Sequence, residues 1–247
     1  VTTPALSVPV KGRGRHYKNP QTDELVPSVT NVISTLSKGD VLSRWSAKMV
    51  AEAAWNMRHS LDAMGQQEAV TVLKQSPWRK TKRASDRGTD IHAYLEARMN
   101  RLEPEELSED ALPYRDAADD WFDYIGASYE DVQTEVTLFH PNYAGTTDLI
   151  GTLNGRVTIA DWKTSKSIYD EAALQLSALA GCYTHANGSV VEWRDEGGLM
   201  TEVPRLVVVR IGMDGWEEKE VADPHAGMTT FFGLLDAWHW KHEKAYL

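Results

Sequence analysis

The sequence contains a single cysteine, Cys182, among 247 residues. That scarcity excludes an internal disulfide framework, a zinc site built from several thiolates, and a four-cysteine iron–sulfur cluster held within one chain. Any metal must therefore be held by oxygen or imidazole. No apolar run approaches the roughly 20 residues needed to cross a bilayer, and the opening VTTPALSVPVKGRGR lacks the apolar centre of a secretory leader. A cytoplasmic protein with no membrane partner is the expectation. Positive charge is short as well: 26 Lys and Arg against 36 Asp and Glu leave a formal net charge of -10, which argues against a polyanionic partner. The distribution says otherwise. Eight Lys or Arg stand against three acids between Lys74 and Arg101, whereas Glu103 to Asp123 holds nine acids and Arg115 alone. Such segregation suits an acidic body with a basic track, or a solvated helix face beside an acidic loop.

What is present is ordinary globular material, with 42% hydrophobic and 25% charged residues, so neither disorder nor a fibrous repeat is indicated. At this length one α/β domain is expected over residues 1–247, mainly helical over 1–125 and β-rich over 126–247 with a closing helix. Arg15–Tyr17 and Leu25–Val26 flank a turn-rich segment and read as a hairpin, after which Ser28 or Thr30 can cap a helix. Leu42, Trp45, Met49, Ala53 and Met57 are spaced for one buried helical face. Ser76 precedes Pro77 as a cap for a helix carrying Ile91, Tyr94, Leu95, Arg98 and Met99. Another helix is expected over Leu112–Ile125.

The period then changes to two over Val132–Phe139, closed by Pro141-Asn142. Strand-like runs Thr146–Leu153 and Arg156–Lys163 are separated only by Asn154-Gly155, the strongest short-range hairpin signal. A helix over Ala172–Tyr183, a buried strand over Leu206–Ile211, a turn at Gly212–Gly215 into a shorter strand, and a helix over Met228–Trp240 complete the chain. Trp238 and Trp240 read as the apolar face of that last helix. The natural solution is an α/β (α+β) fold, a mixed central β-sheet flanked by helices.

If Asn154 and Gly155 form the turn, Leu153 faces Arg156, and five steps back Asp148 stands opposite Asp161. Opposed side chains in a ladder lie about 4.5–5.5 Å apart, and like charges there destabilise a sheet. A divalent cation would compensate, and hard cations such as Mg²⁺ favour oxygen ligands. Period two places Lys163 on the face of Asp161. Two acids and an ammonium then converge, which is what phosphodiester hydrolysis requires: a cation to polarise the phosphoryl group and Lys163 to orient water or stabilise the transition state. The plainer alternative is a pair of strand-end acids with Lys163 in a surface ion pair.

These residues carry a family resemblance. AGTTDLIGTLNGRVTIADWKTSK resembles the core of the PD-(D/E)XK nuclease superfamily, in its RecB-like exonuclease branch, with Asp148 as the first carboxylate and Asp161-Trp162-Lys163 as the D-x-K element. RGTDIHAYLEA resembles the branch's upstream helix, in which a glycine is followed by a metal-binding histidine, here His92. VPSVTNVIS resembles the opening of many phage-encoded members. The resemblance spans residues 26–183 in order and implies a restriction-endonuclease-like core. It also implies a site in which His92, Asp148, Asp161 and the Trp162 carbonyl bind one or two Mg²⁺ or Mn²⁺ ions while Lys163 assists water. His92 and Glu96 are neighbours on one helix face. Glu135 is either a water-positioning acid or an ordinary strand carboxylate.

The branch's Q-x-x-x-Y helix is incomplete, since Gln175 is followed at that spacing by Leu179. Tyr183, two turns beyond Gln175, either supplies the aromatic group or packs in the core, while Gln175 is a candidate for positioning DNA or the lysine. The cysteine quartet of cluster-bearing members is also missing, so the resemblance is to cluster-free phage exonucleases, with no iron–sulfur cluster. The run Trp78, Arg79, Lys80, Lys82 and Arg83, followed by Arg87, leads toward His92 and forms a candidate DNA approach, with Trp78 able to stack on an unpaired base. Lys11, Arg13, Arg15 and Lys18 extend that track or form a mobile arm.

The implied function is a DNA exonuclease of recombination, replication or repair, with single-stranded or end-containing DNA as partner, alongside a recombination or single-strand-binding protein. If phage-encoded, it would work in the host cytoplasm. Competing readings are a structure-specific endonuclease with the same centre, a non-catalytic DNA-binding protein, and a hydrolase of another phosphoester.

Overall fold

A computed structural model of the protein describes residues 7–20, 22–36, 39–126, 129–186 and 204–243. Three short antiparallel strands come first, β1 (Ser7–Val10), β2 (Gly14–Lys18) and β3 (Leu25–Pro27). Sequence periodicity finds β2 and β3 but not β1, whose SVPV carries Pro9 in mid-strand, a residue that strands tolerate only at a sheet edge. The basic N-terminal segment over the described residues is thus sheet rather than a free arm, and Lys18 pairs with Asp23 at 2.6 Å. Ser28 caps α1 (Val29–Ile33) by accepting the Asn31 N–H at 3.1 Å, which satisfies one of the amides left open at a helix start.

Helices α2 (Gly39–Asn56), α3 (Arg58–Leu61) and α4 (Gln66–Lys74) lead to α5 (Ser76–Met99). The expected buried stripe of α2 is only partly realised: Met49 is buried, whereas Leu42 is 56% exposed. Periodicity reports that a helix has an apolar face, not that enough partners exist to cover it, and among the described residues α3, α4 and α5 make the main contacts with this one. Nor does Ser76 cap α5. Gln75 occupies that position, and the Ser76 hydroxyl donates back to the Leu73 carbonyl at 2.8 Å because α4 runs almost directly into α5. The helix expected over Leu112–Ile125 begins as a 3-10 turn (Leu112–Tyr114) containing Pro113, then continues as α6 (Arg115–Ile125).

The main sheet has the order β4 (Tyr129–His140), β5 (Tyr143–Leu153), β6 (Arg156–Lys163), β7 (Arg205–Gly212), β8 (Gly215–Glu220). All neighbours are antiparallel except β6 and β7, which are parallel. A parallel return needs a crossover, and α7 (Asp170–Ala186) lies between those two strands in sequence. The chain closes with α8 (Pro224–Glu243). Asn154 and Gly155 both have positive φ, 53° and 75°, as a two-residue type I′ hairpin demands. Register then runs from Leu153↔Arg156 to Leu149↔Ala160, as the turn chemistry predicts.

Alternation along these strands feeds two cores. Ile150, Ile159, Leu206 and Val208 pack with α1, α7 and α8 on one face, while Leu149, Ala160, Trp162, Val207 and Val209 pack with α5 and α6 on the other. The result is a mixed five-stranded sheet flanked by helices, an α/β (α+β) architecture. Trp238 is buried in the first core but Trp240 is 62% exposed, so only one of the two closing tryptophans serves as core. No helix among the described residues is long and apolar enough to cross a membrane.

Candidate metal centre

The site forms where the β5–β6 ladder stops. Pairing ends at Leu149↔Ala160, one step before Asp148 and Asp161 would meet, so the two acids are not a hydrogen-bonded ladder pair. Side chains replace the missing backbone partners. Thr147 Oγ1 donates to the Ala160 carbonyl at 3.0 Å, and Asp148 Oδ2 accepts the Trp162 N–H at 2.6 Å. Two buried strand groups on β6 are thereby satisfied without a facing strand, and the carboxylate is held in a fixed orientation.

Its other oxygen, Oδ1, faces His92 Nδ1 at 3.2 Å. Helix α5 belongs to the opposite layer and reaches the strand end through small residues. A Cβ on Gly88, one turn before His92, would lie 3.2 Å from Thr164 Oγ1, so glycine lets the helix settle against the segment following Lys163. The Trp162 indole, fully buried, meets the His92 ring edge-on at a centroid distance of 5.8 Å, and stands edge-on to Trp121 at 6.0 Å. Imidazole orientation is therefore fixed by an aromatic wall as well as by Asp148.

The third contributor comes from β4. Glu135 adopts a left-handed φ of 51°, unusual for a non-glycine residue within a strand, and one carboxylate oxygen lies with donors of His92 and Asp148 in a group whose members are all within 4.8 Å. One imidazole and two carboxylates at that spacing could hold a metal ion, since mixed nitrogen and oxygen donors suit several divalent cations. The sequence raised Glu135 only as one of two alternatives. Its positive φ could not be foreseen, because nothing in the local residues calls for it.

Asp161 and Lys163 stand beside this group and pair with each other. Asp161, 2% exposed, also accepts from Gln175 Nε2 at 2.8 Å, so Gln175 fixes the acid that holds the lysine. Asp161 is outside the three-donor group, whereas the sequence placed it with His92, Asp148 and the Trp162 carbonyl. Tyr183 packs against the first core, the plainer of the two roles considered for it.

Charge states follow from burial and neighbours. Burial opposes the His92 cation, but the Asp148 charge and hydrogen bond hold the imidazole above its usual 6.5. Burial likewise opposes the Asp148 anion, yet His92, Lys163 and the Trp162 N–H keep it below the usual carboxylate range. Lys163 is held charged by Asp161 and Asp148 against the cost of burial. Burial and then the Asp148 charge push Glu135 up, and burial pushes Asp161 up, with the Asp148 charge adding to it and Lys163 opposing.

These side chains line one recess of about 230 Å³, with Arg15, Ser28 and Thr30 on its outer wall. Gly145 belongs to the same wall, and a Cβ there would stand 2.8 Å from Leu179 and 3.0 Å from Val29. Of the basic run, Trp78 is 63% exposed, and Lys80 and Arg83 are also exposed. Arg79 donates to the Val72 carbonyl at 2.6 Å, Lys82 pairs with Asp86 at 2.6 Å, and Arg87 lies 4.8 Å over the Tyr114 ring.

No protein-family model matches the chain, and no curated protein matches it. Among solved structures, the crystal structure of SSO0001 aligns at 18% identity and a TM-score of 0.32, covering 45% of this chain and 50% of that one. The chain thus spans half the length of that protein. An alkaline exonuclease (LHK-Exo) from Laribacter hongkongensis aligns at 11% identity and a TM-score of 0.29, covering 63% and 89% respectively. Likeness at this level leaves the reading of the site to its own geometry.

Proposed function

We propose that the protein is a metal-dependent DNA exonuclease of the RecB-like PD-(D/E)XK type. The observation that carries this reading is the convergence of His92, Glu135 and Asp148 donors within 4.8 Å, beside the charged Lys163–Asp161 pair, in one recess. His92, Glu135 and Asp148 hold Mg²⁺ or Mn²⁺, and the family resemblance adds Asp161 and the Trp162 carbonyl to the ligands. A divalent ion bound there supplies Lewis acidity, polarising a phosphoryl oxygen and making water a better nucleophile. Lys163 orients the attacking water and stabilises charge developing on the phosphoryl oxygens, Asp161 and Gln175 position Lys163, and the cations of α5 receive the strand. Residues 1–247 act as one nuclease domain. A phage-type role in recombination, replication or repair, in the host cytoplasm and alongside a recombination or single-strand-binding protein, follows from the resemblance of VPSVTNVIS and the D…D-x-K stretch.

Digestion of matched linear and covalently closed circular DNA tests the exonuclease assignment. Linear DNA should be degraded from its ends while circles persist. Rapid nicking of circles would make the same centre that of an endonuclease.

Metal binding should be linked to protons. His92 and Glu135 keep their protons to higher pH than usual, and a cation must displace them, so Mn²⁺ affinity should rise as pH rises through the elevated His92 value. Calorimetric titration in buffers of different ionisation enthalpy should show proton release; binding with neither pH dependence nor proton release would place the ion elsewhere. The metal-free protein behaves in the opposite sense. Its His92–Asp148 pair contributes stability that is complete below the unfolded imidazole value of 6.5, fades as pH rises through the higher folded value, and is lost in acid as pH falls through the depressed Asp148 value.

A further inference from the structure

Helix α5 does more than deliver His92. Along it Trp78, Lys82, Ser85, Thr89 and His92 recur at alternating spacings of four and three residues, which places them in one stripe on one side of the helix. The stripe begins at an indole 63% exposed to solvent and ends at the metal centre. From Trp78 to Arg87 the sequence carries five cations against Asp86 alone, although the chain as a whole is strongly acidic. The Lys82–Asp86 pair is open to solvent on both sides, and exposed pairs contribute little, so a phosphate can displace the aspartate at small cost.

We propose that this stripe is the path of single-stranded DNA, with Trp78 as a stacking platform for a base well away from the scissile bond. The proposal rests on the hydrolytic reading of the same site and names its substrate class. Two features favour one strand over a duplex. An indole face stacks most readily on a base that is free of its partner strand. The recess at the carboxylates, about 230 Å³, is smaller than the roughly 300–1,000 Å³ of sites for drug-sized ligands, so it has no room for a base pair. Fourteen residues of helix separate Trp78 from His92, about 21 Å at the helical rise, or roughly six nucleotides for a strand that keeps the stacked spacing of about 3.4 Å. Binding should therefore depend on length, with a step where the strand first reaches Trp78.

The test measures fluorescence anisotropy of labelled single strands of about four and about twelve nucleotides and of a blunt duplex, with chelator present so that nothing is cut. Trp78→Ala should weaken binding of the longer strand by about fivefold to hundredfold, with less than about a twofold change for the short strand and the duplex, and Trp78→Phe should restore most of the loss. Trp78 is largely outside the core, so folding should be unaffected, which circular dichroism checks. An equal effect on all three ligands, no effect on any, or no rescue by phenylalanine would overturn the platform. Cleavage of all three ligands with Mn²⁺ is followed in parallel. Cutting by wild type together with length-independent binding, or cutting of the duplex alone, would remove the single-strand path alone, whereas no cutting of any of the three would remove the hydrolytic reading itself.

Discussion

Asp148→Ala is expected to abolish metal-dependent hydrolysis, by on the order of 10³-fold, and to lower thermal stability at the same time. One side chain performs three tasks: it is a member of the three-donor group, it accepts the buried Trp162 N–H, and it opposes His92. Alanine removes all of them. The orphaned N–H alone costs about 1–3 kcal/mol. Asp148→Asn separates the tasks, because an amide oxygen still accepts from Trp162 while the charge that binds a cation is gone. The asparagine variant should retain most of the stability and none of the hydrolysis. Wild-type rates in Asp148→Asn, with unchanged metal dependence, would remove Asp148 from the centre.

Lys163→Ala should also remove hydrolysis, by on the order of 10²-fold to 10³-fold, but not as a silent change to the fold. A polar, open site would tolerate the substitution, and sequence alone leads to that expectation. In the structure Asp161 is 2% exposed and depends on Lys163 for its charge partner, leaving Gln175 as its remaining hydrogen-bond donor. Breaking a buried pair costs about 3–5 kcal/mol. Because the Lys163 side chain is about a third exposed, solvent brings the expected loss down to about 2–3 kcal/mol, or roughly 5–10 °C in Tm for a chain of this size. The double variant Lys163→Ala/Asp161→Asn removes the stranded charge and should recover stability without recovering activity. Thermal melts of the three proteins decide the matter: a Tm in Lys163→Ala equal to wild type would mean that the pair is not buried as described.

The hairpin was legible because its determinants are local. Asn154-Gly155 fixes a turn with both φ values positive, the turn fixes register, and register brings Asp148, Asp161 and Lys163 to one end of the sheet. His92 was legible only through resemblance, since a lone histidine on a helix carries no spacing signal. What could not be read was long-range. The opening of the ladder at Asp148 depends on side chains capturing the Ala160 and Trp162 backbone groups. The inclusion of Glu135 depends on its own left-handed backbone in β4, a strand in which Asp131 is left-handed as well. The thin cover over α2 depends on which helices happen to be near it. Burial of Asp161 belongs in the same class: the alternation placed it on a face, but packing of distant helices on that face, with α7 contributing Gln175, makes it an interior.

The most direct measurement is incubation of end-labelled linear DNA with the protein in Mg²⁺, in Mn²⁺ and in chelator. Label should be released progressively with either ion and remain in full-length strand with chelator. DNA that stays intact, single- or double-stranded, with every divalent ion offered would contradict the assignment of the His92, Glu135, Asp148 and Lys163 cluster to phosphodiester hydrolysis.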